Sequence, residues 1–473
     1  MEMKKSFRMY AALLSVAMLL TACGSSAGTS ATAADTTAAG TVAAAKTEEP
    51  AEKTERGEKV KLSIMHAYTK EEADSGDNTR KMPRETVLEW AENNKDSVQV
   101  EVTEVQHDDY ETKLQALAAA DDLPDVFTMK GSWVENFNAS GLLADMTDAV
   151  NNCQWKDQYK FYLFDGVTTK DGKIIGAPMQ YSATTIVYYN KDLWKQAGYD
   201  SFPATWDELL AAVPKFQEMG VQTIALGNLD KWQYNSSWCS ALADRYTGSD
   251  WTQSIIDMDG TASFTDEDFV KFLELTSKIG DSNALNPDYE SIGNQEASAM
   301  LLSGKAATTI DGYWNVEYTA SNADQEMLDK IELAVLPAVE GGKGQPDAVA
   351  AGCGWFVGVN SKLEGEALEK ALDLAMYMSG PALSQRMTDV GLVSTCDTVA
   401  KDPSTFSTIN QKYLDFVANA ENTCVIYDAR INASVIATMN DQFVELLSGS
   451  TDPETAAGKI QQEYETICAQ YAN

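Results

Sequence analysis

Strand-like and helix-like segments alternate along the chain from residue 59 onward, and this alternation limits the folds that such a chain can adopt. The strand-like segments lie at residues 59–65, 97–105 and 124–129, and the helix-like segments at residues 83–94 and 110–121. Alternation of this kind favours α/β layering around a largely parallel sheet. The same pattern starts again at residues 184–190. We therefore predict two α/β lobes rather than one large sheet.

The rest of the chain continues the pattern with clear start and stop signals. A capping box from Thr205 to Glu208 begins a helix that runs towards Gly220, with a kink expected at Pro214. Further helices are predicted at residues 191–197 (ended by Gly198), 264–279 (ended by Gly280), 364–378, 432–447 and 453–472, and further strands at 306–310 and 331–336.

The first residues have the pattern of an export signal. Lys4, Lys5 and Arg8 precede an apolar stretch at 9–20, which as a helix spans ~18 Å, too short for a bilayer core of ~30 Å. The stretch ends in Leu-Thr-Ala-Cys at 20–23, which is similar to a bacterial lipobox, so we expect Cys23 to be lipidated. Residues 24–59 are small and polar and predict a flexible tether with a reach of ~30–36 Å.

Charge and cysteine content exclude several classes of function. The chain has 71 acidic and 36 basic residues, a net charge of −35, which argues against nucleic acid as a partner. Its two histidines and the absence of any C-x-x-C pair argue against a metal centre, and we expect no cofactor. Whether any of the six cysteines after Cys23 form disulfides stays open.

Several short motifs follow one another in a characteristic order. They are Leu123–Phe127, Gly141–Asp145, Gly172–Pro178, Tyr189–Trp194, Thr205–Leu209, Gly304–Ala307, Gly312–Trp314 and Gly352–Trp355. Their order and spacing over residues 60–473 resemble the extracellular solute-binding proteins of bacterial ABC importers, in the carbohydrate class that includes the maltose-binding protein. The resemblance implies a two-lobed periplasmic-binding-protein-like (type II) α/β fold that holds its ligand in the cleft and has no catalytic residues.

The same resemblance implies discontinuous lobes. Residues 60–180 with 350–400 are expected to form the N-terminal lobe, and 184–338 with 424–473 the C-terminal lobe. The chain is expected to cross between the lobes near 179–184, 340–350 and 399–423, and the crossings act as hinges.

A sugar site needs flat rings for stacking and polar groups for hydroxyls. By resemblance, Trp314 is the stacking tryptophan. Asp311 could accept hydroxyl hydrogen bonds or cap a helix. Met129, Ser132 and Trp133 follow a strand end, where α/β sheets place ligands. Met129 and Ser132 stand where the maltose binder has a tryptophan and an aspartate, so maltodextrin specificity is not expected.

The remaining candidates come from loops and crossing segments. His66 and Tyr68 follow the first strand, and His66 could equally be a structural histidine. Asp428 and Arg430 could equally form a surface ion pair. The other candidates are Gln180 and Tyr181 in the first crossing, Trp232 and Trp238 in a loop, and Trp355 in a glycine-rich segment.

These features predict a monomeric, lipid-anchored binder on the outer face of the cell membrane that delivers a carbohydrate to permease subunits. Three alternatives remain open. The ligand could be a polyol or polyamine, and the partner could be a membrane sensor. A secreted enzyme is disfavoured because no G-x-S-x-G, H-E-x-x-H or Walker A motif occurs. A glycosidase needs a pair of carboxylates, which 71 acidic residues neither show nor exclude.

Overall fold

The structure, a computed structural model, describes residues 58–471 apart from the side chain of Asp108. The predicted signal segment, Cys23 and nearly all of the tether lie outside the described residues, as does the predicted helix end at Ala472. Among the described residues, no helix is both long enough and apolar enough to cross a membrane.

Eleven strands and twenty-one α-helices make up the described part of the chain. The strands are β1 (Val60–His66), β2 (Val98–Glu104), β3 (Val126–Lys130), β4 (Ala177–Pro178), β5 (Ser182–Ala183), β6 (Ile186–Asn190), β7 (Thr308–Asp311), β8 (Ile331–Ala334), β9 (Val349–Gly352), β10 (Trp355–Val359) and β11 (Thr423–Cys424). The helices are α1 (Lys70–Asp74), α2 (Asn78–Asn93), α3 (His107–Ala119), α4 (Gly131–Ala139), α5 (Thr147–Asn152), α6 (Lys191–Gln196), α7 (Trp206–Ala211), α8 (Val213–Met219), α9 (Trp232–Tyr234), α10 (Ser240–Thr247), α11 (Ser249–Asp257), α12 (Glu267–Asp281), α13 (Asn294–Leu302), α14 (Trp314–Asn322), α15 (Gln325–Lys330), α16 (Gly365–Ser379), α17 (Pro381–Asp389), α18 (Thr408–Asn419), α19 (Tyr427–Arg430), α20 (Ala433–Leu447) and α21 (Pro453–Tyr471).

The first sheet has the strand order β2-β1-β3-β10-β4. Strand β1 is parallel to β2 and β3, as the alternation of strands and helices predicts, whereas β10 is antiparallel to both of its neighbours. Ile64, Phe127 and Phe356 from its central strands are buried in one hydrophobic core. Because β10 lies far along the sequence, this sheet is built from two separate stretches of the chain.

The second sheet, β7-β6-β8, is antiparallel, which differs from the parallel arrangement that the alternating pattern predicts. Hydrophobic periodicity records which side chains are buried and carries no information on strand direction. Around this sheet, Phe272 of α12, Phe443 of α20 and Ile460 of α21 belong to a second hydrophobic core.

A third, small sheet collects parts of the segments that were predicted to cross between the lobes. Strand β9 pairs with β5 on one side and with β11 on the other. Strand β5 lies within the predicted crossing at 179–184, β9 begins at the end of the crossing at 340–350, and β11 begins at the end of the one at 399–423.

Most predicted helices are present, and the main error concerns Gly280. We expected this glycine to end a helix at 264–279, but α12 begins at Glu267 and continues through Gly280 to Asp281. A Cβ at Gly280 would lie 2.2 Å from the carbonyl oxygen of Leu447, so the glycine lets α20 approach α12 closely. The expected interruption near Pro214 is confirmed by the break between α7 and α8.

The predicted capping box is half confirmed. The Thr205 hydroxyl accepts a hydrogen bond from the Glu208 amide at 3.3 Å, as a capping residue does. The Glu208 carboxylate accepts from the backbone amide of Ala204 at 3.0 Å rather than from that of Thr205. The prediction also missed α17, which begins at Pro381 directly after α16 ends.

Candidate functional site

A cavity of about 470 Å³, here called the main cavity, lies between elements of the first sheet and segments that follow the second. Arg80 of α2 and Trp355 of β10 line one side, and Trp314 and Asn315 at the start of α14 line the other. A second cavity of about 260 Å³, here called the side cavity, adjoins it. The two cavities share six lining residues, which are His107, Lys130, Asp230, Trp232, Trp355 and Asp428.

Five rings form a continuous series along the two cavities, here called the aromatic row: Trp314, Trp232, His107, Trp355 and Trp133. The ring centroids of consecutive members are 5.6, 6.4, 5.4 and 5.7 Å apart. Trp314 lines the main cavity only, and Trp133 lines the side cavity only. Such rings offer apolar faces against which a flat, partly apolar ligand can stack.

Asp311 and Gly312 fix the position of the Trp314 ring. Its indole Nε1 donates a hydrogen bond of 2.6 Å to Oδ1 of Asp311, and the same oxygen accepts from the Gly312 amide at 2.8 Å. A Cβ at Gly312 would lie 2.3 Å from the Trp314 ring, so only glycine leaves room for the indole there. Burial raises the pKa of the Asp311 carboxyl to about 7, with the two hydrogen bonds acting in the opposite direction.

Charged groups surround the rings. Nε of Arg80 lies 3.8 Å from a carboxylate oxygen of Asp77, and Nζ of Lys130 lies 4.0 Å from Asp428. Burial raises the pKa of Asp428, whereas the charge of Lys130 lowers it. The cleft therefore presents both donors and acceptors of hydrogen bonds beside its aromatic surfaces.

Half of the fourteen residues that the sequence singled out lie in the walls of these cavities. They are Ser132, Trp133, Gln180, Trp232, Trp314, Trp355 and Asp428. The other seven line neither cavity, and the structure gives a physical reason for most of them.

Three of these seven belong to the interior of the first sheet. His66 is fully buried at the end of β1, and burial lowers its pKa to about 4, so its imidazole is neutral at pH 7. The hydroxyl of Tyr68, also buried, faces the sulfur of Met179 at 3.8 Å. Met129 pairs with Phe356 across the sheet and is completely buried.

Trp238 belongs to the second hydrophobic core, and Asp311 is the last residue of β7 in the second sheet. Trp238 is completely buried beside Tyr234, and its indole donates to the carbonyl of Ile310 at 3.3 Å. It follows Trp232 by six residues on one continuous helical stretch, which places the two rings on different faces. Asp311 is buried beneath Trp314, so it contacts the indole rather than the cavity, and it does not cap α14.

The last two candidates lie beside the cleft. Tyr181 is buried in the first core. The Arg430 side chain packs against Gly166, and burial lowers its pKa. We considered a surface ion pair between Asp428 and Arg430. In the structure the Asp428 carboxylate lies near Lys130 instead.

The sequence reasoning missed His107, Lys130, Arg80 and Asn315, all of which line the main cavity. His107 follows the end of β2, and Lys130 is the last residue of β3. Both therefore lie at the carboxyl edge of parallel strands, the same signal that pointed to Ser132 and Trp133. Applied to β2, that rule would have found His107.

Comparison with known proteins decides the family. A family model described as bacterial extracellular solute-binding protein matches residues 87–412. This chain belongs to that family. Because the family consists of binding proteins, the prediction that the chain is not an enzyme is confirmed.

Relatives of this solute-binding protein include two curated proteins. An uncharacterized ABC transporter extracellular-binding protein from Pyrococcus horikoshii is 27% identical over 241 residues, which is 48% of this chain and 53% of that protein. A probable sugar-binding periplasmic protein from Rhizobium meliloti is 29% identical over 207 residues, 43% of this chain and 47% of that protein. The chain thus spans about half the length of the curated relatives that it matches.

A solved structure shows the same fold. It comes from work on xylan utilization by the thermophilic bacterium Caldanaerobius polysaccharolyticus. It is 25% identical, with a TM-score of 0.75, and the match covers 85% of this chain and 100% of that chain. This likeness confirms the predicted two-lobed α/β fold.

Proposed function

We propose that this solute-binding protein captures a sugar or oligosaccharide between its lobes for an ABC importer. The observation that carries the proposal is the aromatic row, whose rings line two adjoining cavities beside carboxylates, Arg80 and Lys130. Stacking rings next to planar polar groups suit a sugar, which has apolar C–H faces and an edge of hydroxyls. The names of relatives that bind sugars support the same class of ligand.

Seven of the predicted residues are proposed to contact the ligand, because they line the cavities: Ser132, Trp133, Gln180, Trp232, Trp314, Trp355 and Asp428. His107 and Asn315 join them. Asp311 is proposed to position Trp314 without touching the ligand. In this proposal the sugar stacks on Trp314 and its hydroxyls bond to the polar groups between the rings.

The lobes are proposed to be residues 60–180 with 350–400 and 184–338 with 424–473. The small sheet β5-β9-β11 would then be the hinge, since it joins strands from the three crossings. Ligand shifts such a protein towards its closed form only through contacts that the open form lacks. Residues on both sides of the main cavity can supply those contacts.

Delivery to permease subunits and anchoring through a lipid on Cys23 complete the proposal. The export signal and the Leu-Thr-Ala-Cys motif support export and lipidation. A monomer held by a tether at the outer face of the membrane would capture its ligand there and dock on the permease in the closed form.

Thermal unfolding in the presence of candidate solutes tests the proposed function. The panel contains mono- and oligosaccharides, polyols, polyamines and amino acids. A ligand at 100 times its dissociation constant stabilises the folded protein by ~2.7 kcal/mol, which shifts the melting temperature measurably. We expect a shift from one group of saccharides, without their consumption. A shift from other solutes only, or turnover of a saccharide, would contradict the proposal.

A further inference from the structure

The side cavity carries an excess of negative charge among its lining residues. The carboxylates of Glu111, Asp230 and Asp428 line it together with one lysine, Lys130. Glu111 accepts a hydrogen bond from the side-chain amide of Gln115 at 3.0 Å. Asp230 and Asp428 line the main cavity as well, so the two cavities share most of this charge.

Lys130 is the one lysine or arginine among the residues that line the side cavity, and it lies near Asp428. Its Nζ lies 4.0 Å from Asp428, longer than a hydrogen bond, and both side chains are largely shielded from solvent. Burial raises the pKa of Glu111 and of Asp428, and the charge of Lys130 acts against burial at both carboxyls. A second cation in the cavity would stabilise the ionised form of both acids.

The walls of the side cavity are suited to a cation. The rings of Trp133 and Trp355 meet almost at a right angle, with centroids 5.7 Å apart, and Trp232 lines the same space. Nζ of Lys130 stands 5.9 Å from the centroid of the Trp355 ring, so that ring already faces an ammonium group. Aromatic walls combined with carboxylates are the chemistry by which proteins recognise ammonium ligands.

We propose that the side cavity receives a cationic group of the ligand, namely the ammonium group of an amino sugar whose neighbouring ring stacks in the main cavity. This inference rests on the proposed function, because it assigns the charge of the sugar that the cleft binds. The net charge of −35 on the whole chain also attracts a cationic ligand towards the cleft.

Three trisaccharides with the same β-1,4 linkage test this proposal, since they differ only at carbon 2. These are the trimers of glucose, N-acetylglucosamine and glucosamine, which carry a hydroxyl, a neutral amide and an ammonium group. Titration calorimetry at about pH 6 measures each affinity, because most of the glucosamine amines carry a proton there even though the neighbouring oxygens make them less basic than an alkylamine. Spermidine serves as a cation that is not a sugar. We expect the glucosamine trimer to bind about tenfold tighter than the glucose trimer, and the advantage to shrink at high salt.

Four variants separate the cavity from general charge effects. Asp428→Asn and Glu111→Gln should each reduce the preference for the glucosamine trimer. If one of the two variants does not fold, the other alone tests the proposal. Lys130→Met should increase the preference because it removes the resident ammonium group. Asp441→Asn is the matched control, since this exposed acid lies on α20 next to Asn440 but does not line the cavity.

The outcomes distinguish the two proposals. If the glucose trimer binds as tightly as the glucosamine trimer, the cationic assignment is overturned and sugar binding stands. If spermidine binds and no trisaccharide does, the cationic site stands and its assignment to an amino sugar is wrong. If none of the four compounds binds, the cationic assignment is overturned, whereas the proposed function stands or falls with the saccharides of the thermal-unfolding panel.

Discussion

The indole Nε1 of Trp314 donates a hydrogen bond of 2.6 Å to Oδ1 of Asp311. Asp311 is completely buried, whereas Trp314 lines the main cavity. The Asp311 carboxyl therefore orients the Trp314 ring without lining the cavity itself.

The first prediction concerns this support. Asp311→Ala removes the acceptor for the indole and should weaken ligand binding about tenfold, because the ring loses its preferred orientation. Asp311→Asn keeps an oxygen acceptor and should bind nearly as the wild type does. Titration calorimetry checks both, with circular dichroism as the control for folding. Equal affinities for Asp311→Ala and the wild type would show that the hydrogen bond does not position the ring.

The second prediction is a pH dependence of stability. Burial raises the pKa of Asp311 to about 7, from its usual value of 3.8, so the folded state holds a proton that the unfolded state releases. Stability from this group is therefore lost as pH rises through that window. The free energy of unfolding of the wild type, minus that of Asp311→Asn, should fall between about pH 4 and about pH 7 and stay level above that range. Urea titrations measure it, and the subtraction removes the contributions of other groups such as His66. A difference that rises or stays flat would contradict the assigned protonation.

The third prediction concerns a contact beside the main cavity. Asn78 at the start of α2 donates to the Glu317 carboxylate on α14, and Asn410 of α18 donates to the other oxygen at 2.6 Å. Asn78 stands between two residues that line the main cavity. In the proposed lobes the first contact joins one lobe to the other, so Asn78→Ala should speed ligand release about fivefold. Stopped-flow fluorescence measures the rate, with the exposed Asn322→Ala as control. Unchanged release would mean that this contact is equally present in the open form.

The fourth prediction tests the packing of α12 on α20. Gly280→Ala should destabilise the protein by about 1–3 kcal/mol, because the new methyl group would lie 2.2 Å from the Leu447 carbonyl oxygen. Gly458→Ala, inside α21, is the matched control, because a Cβ there meets nothing within 4 Å. This control should stabilise the protein by about 0.5–1 kcal/mol. Chemical denaturation measures both, and equal effects from the two glycines would contradict the close approach.

The fold could be predicted where local patterning decides it. The alternating valines of β2, of which Val98 is buried and Val100 and Val102 are half-buried, and the apolar run of β3 located both strands within a few residues of their bounds. The antiparallel insertion of β10 between β3 and β4 could not be predicted this way, because its paired residues are 178 to 233 positions apart in the sequence.

The candidate site shows the same division. Trp232 and Trp238 are the same residue type, six positions apart in the sequence, and the sequence does not distinguish them. The path of the helix places Trp232 in the cavity wall and buries Trp238. His66 is the last residue of β1, as Lys130 is of β3, yet its side chain is completely buried. Strand ends locate the cleft, whereas the direction of each side chain follows from packing with distant residues.

The affinity of Trp314→Ala for the saccharide that stabilises the wild type tests the central claim most directly. The claim predicts a loss of about 2 kcal/mol or more, or roughly 30-fold, because a stacking ring is removed from the main cavity. Tyr162→Ala removes an exposed aromatic ring that lines neither cavity and should bind as the wild type does. Unchanged affinity in Trp314→Ala would contradict the assignment of this cleft as the sugar site.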